Sequence, residues 1–339
     1  MYISTMIFVT GGTGVLGSHL LYRLVSEGEQ VRAIYRDENK LRHVSELFAF
    51  YNPELGSTLF AEIVWIKCDI LDVVTLEEAM MGCEYVYHCA AIVSFRKKDF
   101  FHMMKINRQG TANVVNIALD LGYKKLCFVS STAAVAKDLA NPGKVMESNK
   151  WTQSGDTSGY AISKYSSEKE VWRGIEEGLD AVIINPSMIL GPGNWDESSL
   201  TIFRTVAKGF RFYTRGANAF VDARDVAHAM VLLMRSDISR ERFLCTGTNI
   251  GFRELFEMIA REIGVKPPSI EAGPLMSALA YRVAGIAGFF TGRLTLTRET
   301  ARSAQSVTVY DSSKLEKAVG FEFTPLEDTI RNAVRGRIL

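Results

Sequence analysis

Short apolar runs alternate with stretches of helical periodicity through the first half of the chain. Residues 6–10 are apolar and are followed by residues 17–27, where apolar positions recur at helical spacing, so a strand and then a helix are expected. Residues 31–35, 63–67, 85–89, 126–130 and 181–185 read as further strands, and residues 76–81, 105–120 and 158–177 as the helices between them. Strands alternating with crossover helices predict an α/β fold built on a doubly wound parallel sheet. After Pro186 the pattern changes to Gly/Pro-rich loops, a helix near 199–209, a return strand and helix over 220–234, and mixed segments beyond. The expected division is a first domain from residues 1–185 plus about 218–248, and a smaller, interleaved second domain from about 186–217 plus 249–339.

Composition fits this reading. The chain has 339 residues, 47% hydrophobic and 23% charged, which excludes a disordered or fibrous protein. Lys and Arg number 39 against 38 Asp and Glu, so no overall field attracts polyanions and nucleic acid is not an expected partner. Five cysteines, at 68, 83, 89, 127 and 245, show no close Cys-x-x-Cys pair and read as reduced core residues; no metal site is expected. The segment Met1 to Val9 has no basic region and no small-residue cleavage site, and the most apolar stretch, 274–290, is broken by Arg282 and Gly285. It falls short of the roughly 20 residues a spanning helix needs. A cytoplasmic protein without stable membrane insertion is expected.

The first strand runs into Thr10-Gly11-Gly12-Thr13-Gly14-Val15-Leu16-Gly17. Gly11 permits a tight turn, Gly14 lets backbone approach a pyrophosphate, and Gly17 lets the helix pack on the sheet. The helix start at Val15 and Leu16 offers N–H groups and a partial positive charge to the anion. These features predict a Rossmann-type dinucleotide site with Gly-x-x-Gly-x-x-Gly spacing. Tyr35 stands where a carboxylate would select NAD, and Arg36 follows with Lys40 one turn on; a guanidinium clamps phosphate, so NADP is the expected cofactor and NAD the alternative. Asp69, before Ile70, is placed to accept from the adenine amine.

Tyr160 and Lys164 lie four residues apart at the start of a helical pattern and share one face. An ammonium beside a phenol stabilises phenolate, which makes Tyr160 a candidate general acid/base whose pKa is expected to fall. Upstream, Ser130-Ser131-Thr132 ends a strand in three hydroxyls, near the edge where parallel sheets place ligands.

These residues resemble the extended short-chain dehydrogenases/reductases, the group that includes NAD(P)-dependent sugar epimerases and dehydratases. The resemblance covers nearly the whole chain. It extends through Tyr87-His88-Cys89-Ala90-Ala91, Asn107-Arg108-Gln109-Gly110-Thr111, Asn185-Pro186-Ser187-Met188 and Phe220-Val221-Asp222-Ala223-Arg224-Asp225. It implies that the triad hydroxyl falls on Thr132, with Ser131 as the fallback, and that Asn107 orients the machinery. Lys164 would hold the nicotinamide ribose, and Ala90, Ala91, Pro186 and Ser187 would line the inner half of the cofactor. The Arg-Asp pair that grips a sugar nucleotide's diphosphate is missing before Phe220, where Arg215 is displaced. The His88-Cys89-Ala90-Ala91 form and the short connection 194–212 look closer to the dihydroflavonol-reductase and 3β-hydroxysteroid-dehydrogenase-like branch.

In that branch an apolar pocket walled by Val93, Phe95, Met188, Phe203, Phe212 and Tyr213 would take a small, largely hydrophobic carbonyl compound or its alcohol. The expected activity is NADP(H)-dependent oxidoreduction; the alternatives are a nucleotide-sugar epimerase or dehydratase and a non-catalytic cofactor-binding protein. The apolar stretch 274–293 would close over the substrate or against a second subunit. By analogy with relatives, helices 105–120 and 158–177 would pair in a homodimeric four-helix bundle. The closing stretch Val309-Tyr310-Asp311-Ser312-Ser313-Lys314-Leu315, then Gly320-Phe321 and Thr324-Pro325-Leu326, resembles the family's usual finish, which implies a strand, a capped helix and a last amphipathic helix.

Overall fold

The computed structural model describes residues 6–135, 144–154, 157–273 and 304–338. In chain order its first half comprises β1 (Met6–Thr10), α1 (Val15–Ser26), β2 (Gln30–Tyr35), α2 (Asn39–Tyr51), α3 (Gly56–Ala61), β3 (Val64–Lys67), α4 (Val73–Met80), β4 (Tyr85–His88), α5 (Phe100–Met104), α6 (Gly110–Asp120), β5 (Lys125–Val129), α7 (Gly159–Glu176) and β6 (Ala181–Pro186). A π-helical turn over Lys105–Gln109 joins α5 to α6, so the helix expected over 105–120 starts earlier and carries a bulge.

The second half comprises β7 (Met188–Leu190), β8 (Gly193–Asn194), α8 (Thr201–Ala207), β9 (Phe212–Tyr213), β10 (Ala217–Asp222), α9 (Ala223–Arg235), β11 (Glu241–Cys245), β12 (Thr248–Gly251), α10 (Phe252–Ile263) and β13 (Ile270–Glu271). Two more helices, Ser313–Val319 and Leu326–Arg335, precede a short strand, Arg337–Ile338, that pairs with β8. The strand expected at Val309-Tyr310 is an isolated bridge between Val145 and Tyr310. The apolar stretch 274–293 lies outside the described residues.

The main sheet is parallel in the order β11-β6-β5-β4-β1-β2-β3. Alternation along its strands divides two cores. Phe8, Val86, Leu126, Phe128, Ala181 and Ile183 face α4, α6 and α7, while Ile7, Val9, Tyr87, Cys127, Val129, Val182 and Ile184 face α1 and α9. Both faces are covered, which explains why these strands read as continuous apolar runs. Because the strands are parallel, their C-terminal ends share one edge, and strand order reverses between β1 and β4. A crevice at such a switch point is where this architecture binds ligands.

The segment 218–248 divides between the sheets. Its strand β10 joins β7 and β12 in a small three-stranded sheet, and α9 and β11 return to the large one. A third core lies in the smaller lobe, where Leu190, Trp195, Leu200, Phe203, Phe220, Leu255 and Ile259 pack with the last long helix. Phe203, expected on a pocket wall, is fully buried there and stacks on Trp195 with ring centroids 5.5 Å apart. Among the described residues no helix is long and apolar enough to cross a membrane.

Phe203→Ala is expected to lower stability by about 3–5 kcal/mol, the cost of emptying a buried aromatic site. Urea unfolding checks this, and a destabilisation below about 1 kcal/mol would return Phe203 to the pocket wall.

Candidate active site

The turn after β1 has the shape its glycines require. Gly11 has φ +70° and backbone so close that a Cβ would stand 2.6 Å from the Ala90 nitrogen. A Cβ on Gly17 would overlap the Gly11 carbonyl, so turn and helix meet backbone to backbone. Gly14 differs, since a Cβ there would meet only the Gly11 oxygen, at 3.4 Å. Gly14 is also the N-cap of α1, where no side chain caps the helix and no acid sits in the first turn. An uncapped, acid-free helix start behind a glycine cradle fits a pyrophosphate at Thr10, Gly11, Gly14, Val15, Leu16 and Gly17.

At the adenosine end Arg36 follows β2, and its guanidinium lies 4.0 Å from Asp69, which follows β3; both are about half exposed. Asp69 also accepts from the Leu71 N–H at 3.0 Å. Lys40 is engaged elsewhere, donating to Glu197 at 2.7 Å, whereas Arg36 stays beside Asp69. The Ile70 side chain is buried in the core against Gly110, whose missing side chain makes room for it.

A buried polar chain runs from the phosphate turn to the catalytic edge. The Ala90 N–H donates to Thr10 Oγ1 at 3.2 Å, and Thr10 Oγ1 lies 2.6 Å from His88 Nδ1. His88 Nε2 lies 2.9 Å from Thr111 Oγ1, which gives its own proton to the Asn107 carbonyl at 2.5 Å. These partners assign the His88 proton to Nε2, leaving Nδ1 to accept from Thr10. Burial, with the nearby Lys164 charge, holds His88 neutral with a pKa lowered to about 3. Asn107 sits in the π-turn, accepts from the Ile92 N–H at 2.7 Å, and donates to the Ile92 carbonyl at 2.9 Å and to Ser163 Oγ at 3.0 Å. Ser163 in turn donates to the Tyr160 carbonyl at 2.8 Å. Asn107 thereby ties the segment after Ala91 to the start of α7.

Ser158 caps α7 through the Ala161 N–H, which places Tyr160 in its first turn and Lys164 one turn on. Thr132 was the expected partner of the Tyr160 hydroxyl. In the structure the hydroxyl that acts on the Tyr160 phenol is that of Ser131, which holds its pKa down against burial, whereas Thr132, opening a short 3₁₀ turn, acts in the same way on Tyr310. The reason is local: Ser131 is extended while Thr132 has begun the turn, so the two side chains diverge. The expected lowering of the Tyr160 pKa is also absent. Burial raises it, opposed by the Ser131 hydrogen bond. Lys164 donates to the Val129 carbonyl at 2.7 Å; burial pulls its pKa down to about 8 against the pull of Glu168.

Of the expected substrate residues, Phe95 stacks edge to face on Tyr160 with ring centroids 5.7 Å apart, and Val93 and Phe95 are both exposed. Met188 packs partly into the third core, and Tyr213 carries the Arg253 guanidinium 5.0 Å from its ring centroid. Ala91 is exposed at the edge, Pro186 is buried, and Ser187 Oγ is bound to the Thr246 carbonyl at 2.9 Å. Arg215 is mostly exposed and paired with Glu271 at 2.7 Å. Sequence reasoning did not single out His88, Ser163, Glu168 or Arg242 as members of the site. For Glu168 a signal existed, since it continues the Tyr160, Lys164 register by another turn of α7.

Fold and site together define a dinucleotide-binding enzyme of the Rossmann type. Residues 7–245 match the model of the NAD dependent epimerase/dehydratase family, and the chain belongs to that family. It is 29% identical over 335 residues to sterol demethylase protein B of Methylococcus capsulatus, covering 96% of both chains. It is 27% identical over 340 residues to a cinnamoyl-CoA reductase 1 of Oryza sativa, covering 97% of this chain and 89% of the relative. Among solved structures, a UDP-glucose 4-epimerase from Thermotoga maritima with UDP-glucose superposes with a TM-score of 0.73 at 19% identity over 98% of each chain, a likeness of fold.

His19 is a second buried neutral histidine. Its Nε2 donates to the Pro192 carbonyl at 3.0 Å, its Nδ1 accepts from Tyr51 at 2.7 Å, and burial lowers its pKa to about 4 against the pull of Asp222. Both histidines protonate more readily when unfolded, near pH 6.5, so their contribution is complete above that pH and falls away below it. The expected loss is up to about 1.4 kcal/mol per pH unit for each histidine. Urea midpoints between pH 6.5 and 5 should fall in the wild type and fall less steeply in His19→Gln; equal slopes would contradict the assignment.

Proposed function

We propose that the chain is an NADP(H)-dependent reductase of a ketone or aldehyde on a small, largely apolar compound. The observation that carries this reading is the half-buried Tyr160, whose phenol the Ser131 hydroxyl holds down against burial, with Lys164 one turn along α7 and the exposed Phe95 ring edge to face upon it. The bound nicotinamide supplies the hydride. Tyr160 gives its proton to the substrate oxygen, and Ser131 donates a hydrogen bond to that same oxygen. A phenol raised by burial keeps its proton near neutrality, which suits the reducing direction. Lys164 holds the ribose hydroxyls and stabilises the phenolate left after proton transfer.

Arg36 supports NADP, because a 2′-phosphate at the end of β2 would replace Asp69 as its partner. The name of one relative, a sterol demethylase protein, supports an apolar substrate, and that of another, a cinnamoyl-CoA reductase, supports reduction. A sugar-nucleotide substrate needs a cation for its diphosphate, and Arg215, the displaced arginine of that segment, is engaged by Glu271.

Tyr160→Phe is expected to lower kcat about 10²–10⁴-fold with NADPH affinity nearly unchanged. Ser131→Ala should cost more turnover than Thr132→Ala; the reverse order would restore Thr132 to the triad. In fluorescence titrations NADPH should bind more tightly than NADH, and Arg36→Ala should erase the difference. Equal binding by the wild type would remove Arg36 from the cofactor site.

A further inference from the structure

Glu168 lies on α7 one helical turn beyond Lys164 and is 1% exposed. A buried carboxylate survives only when its oxygens are supplied with donors, and this one accepts four hydrogen bonds. Oε2 accepts from Ser130 Oγ at 2.7 Å and Asn185 Nδ2 at 2.9 Å, and Oε1 from Arg242 at 3.0 Å and Trp172 Nε1 at 3.2 Å. Three of the donors come from other parts of the main sheet: the end of β5, β6 and β11. So many separate elements converging on one carboxylate exceeds what a helix needs to pack.

Two of these contacts reach the chemistry. The Asn185 amide that binds Glu168 also donates to the Ser131 carbonyl at 3.0 Å, and Ser130 adjoins Ser131, so the strand end that presents Ser131 to Tyr160 is gripped from behind. The carboxylate also acts on Lys164 through space. The other groups around that ammonium are His88, which ends β4, Cys89 just after it, and the Val129 carbonyl and Phe128 ring of β5. Arg242 approaches Glu168 from β11 and partly balances it.

We propose that Glu168 is a positioning residue for the reaction inferred above, holding Ser131 against Tyr160 and supplying the negative charge that keeps the buried Lys164 ammonium in the site. The proposal rests on that reading of the site, and its test separates the two. In protein labelled with ¹³C at lysine Cε, with Lys164 assigned through Lys164→Arg, the carbon shift follows the Lys164 amine through a pH titration without any turnover. The wild-type midpoint is expected near 8, and that of folded Glu168→Gln about one pH unit or more lower. With a carbonyl substrate, Glu168→Gln should lower kcat about tenfold or more at pH 8 and less at pH 6, because Lys164 stays protonated at the lower pH. Glu168→Asp, which restores the charge, should recover part of the loss at pH 8.

A merely structural role would depress both pH values alike. An unmoved Lys164 midpoint in folded Glu168→Gln overturns the proposal whether or not any substrate is turned over. A lowered midpoint in a protein that reduces no carbonyl upholds the charge coupling and counts against the reductase reading instead. Should Glu168→Gln not fold, Arg242→Gln tests the same coupling with the opposite sign. Freed of its guanidinium, Glu168 should raise the Lys164 midpoint, and a fall or no change overturns the proposal.

Discussion

Direct backbone contact at the phosphate turn sets the geometry on which the rest of the site depends. Gly11 presses on the Cys89-Ala90 peptide, and Gly17 presses on Gly11, at separations that no side chain permits. The first and fourth strands are therefore drawn together at the point where strand order reverses, and α1 starts directly behind them. The chain Ala90, Thr10, His88, Thr111, Asn107 is threaded through the same contact, so the spacing of the turn is passed to the π-bulge and from there to α7. Each link has a single arrangement of donors and acceptors that satisfies it, which makes the connection stiff.

Burial then shifts the ionisation of Tyr160 and Lys164. It raises the Tyr160 phenol and lowers the Lys164 ammonium, so without cofactor the two groups favour their neutral forms more than free side chains do. The fold opposes this tendency on the lysine side with Glu168, and on the tyrosine side with the Ser131 hydroxyl. Both restraints trace back to the end of β5, where Val129 binds Lys164, Ser130 binds Glu168 and the Ser131 hydroxyl acts on Tyr160. Three consecutive residues thus serve three different parts of the site.

Much of the framework was legible beforehand for plain physical reasons. Strands buried on both faces give unbroken apolar runs, and helices covering a sheet give helical periodicity, so all six strands expected before Pro186 are present with ends shifted by a residue or so. The glycine turn was legible because steric exclusion is written in residue type. Tyr160 and Lys164 were legible because helical register fixes their relation. The expectations for Thr132, Phe203 and Lys40 differ from what is found for one shared reason. Each concerns the direction or partner of a side chain, decided by tertiary packing: Tyr310 and Glu197 lie far along the chain from Thr132 and Lys40, and Phe203 turns into the core that holds Trp195.

The sequence by itself determined the layered α/β plan, the cradle for a dinucleotide and the helix that carries Tyr160 and Lys164, since each follows from local sterics and periodicity. Tertiary structure alone decided which hydroxyl acts on Tyr160, that Lys40 pairs with Glu197 while Arg36 lies beside Asp69, and how Glu168 gathers Ser130, Asn185 and Arg242. Those depend on groups up to 74 residues apart from Glu168 being brought within hydrogen-bonding distance, and nothing in the spacing of a linear chain encodes where parallel strands will set their ends side by side.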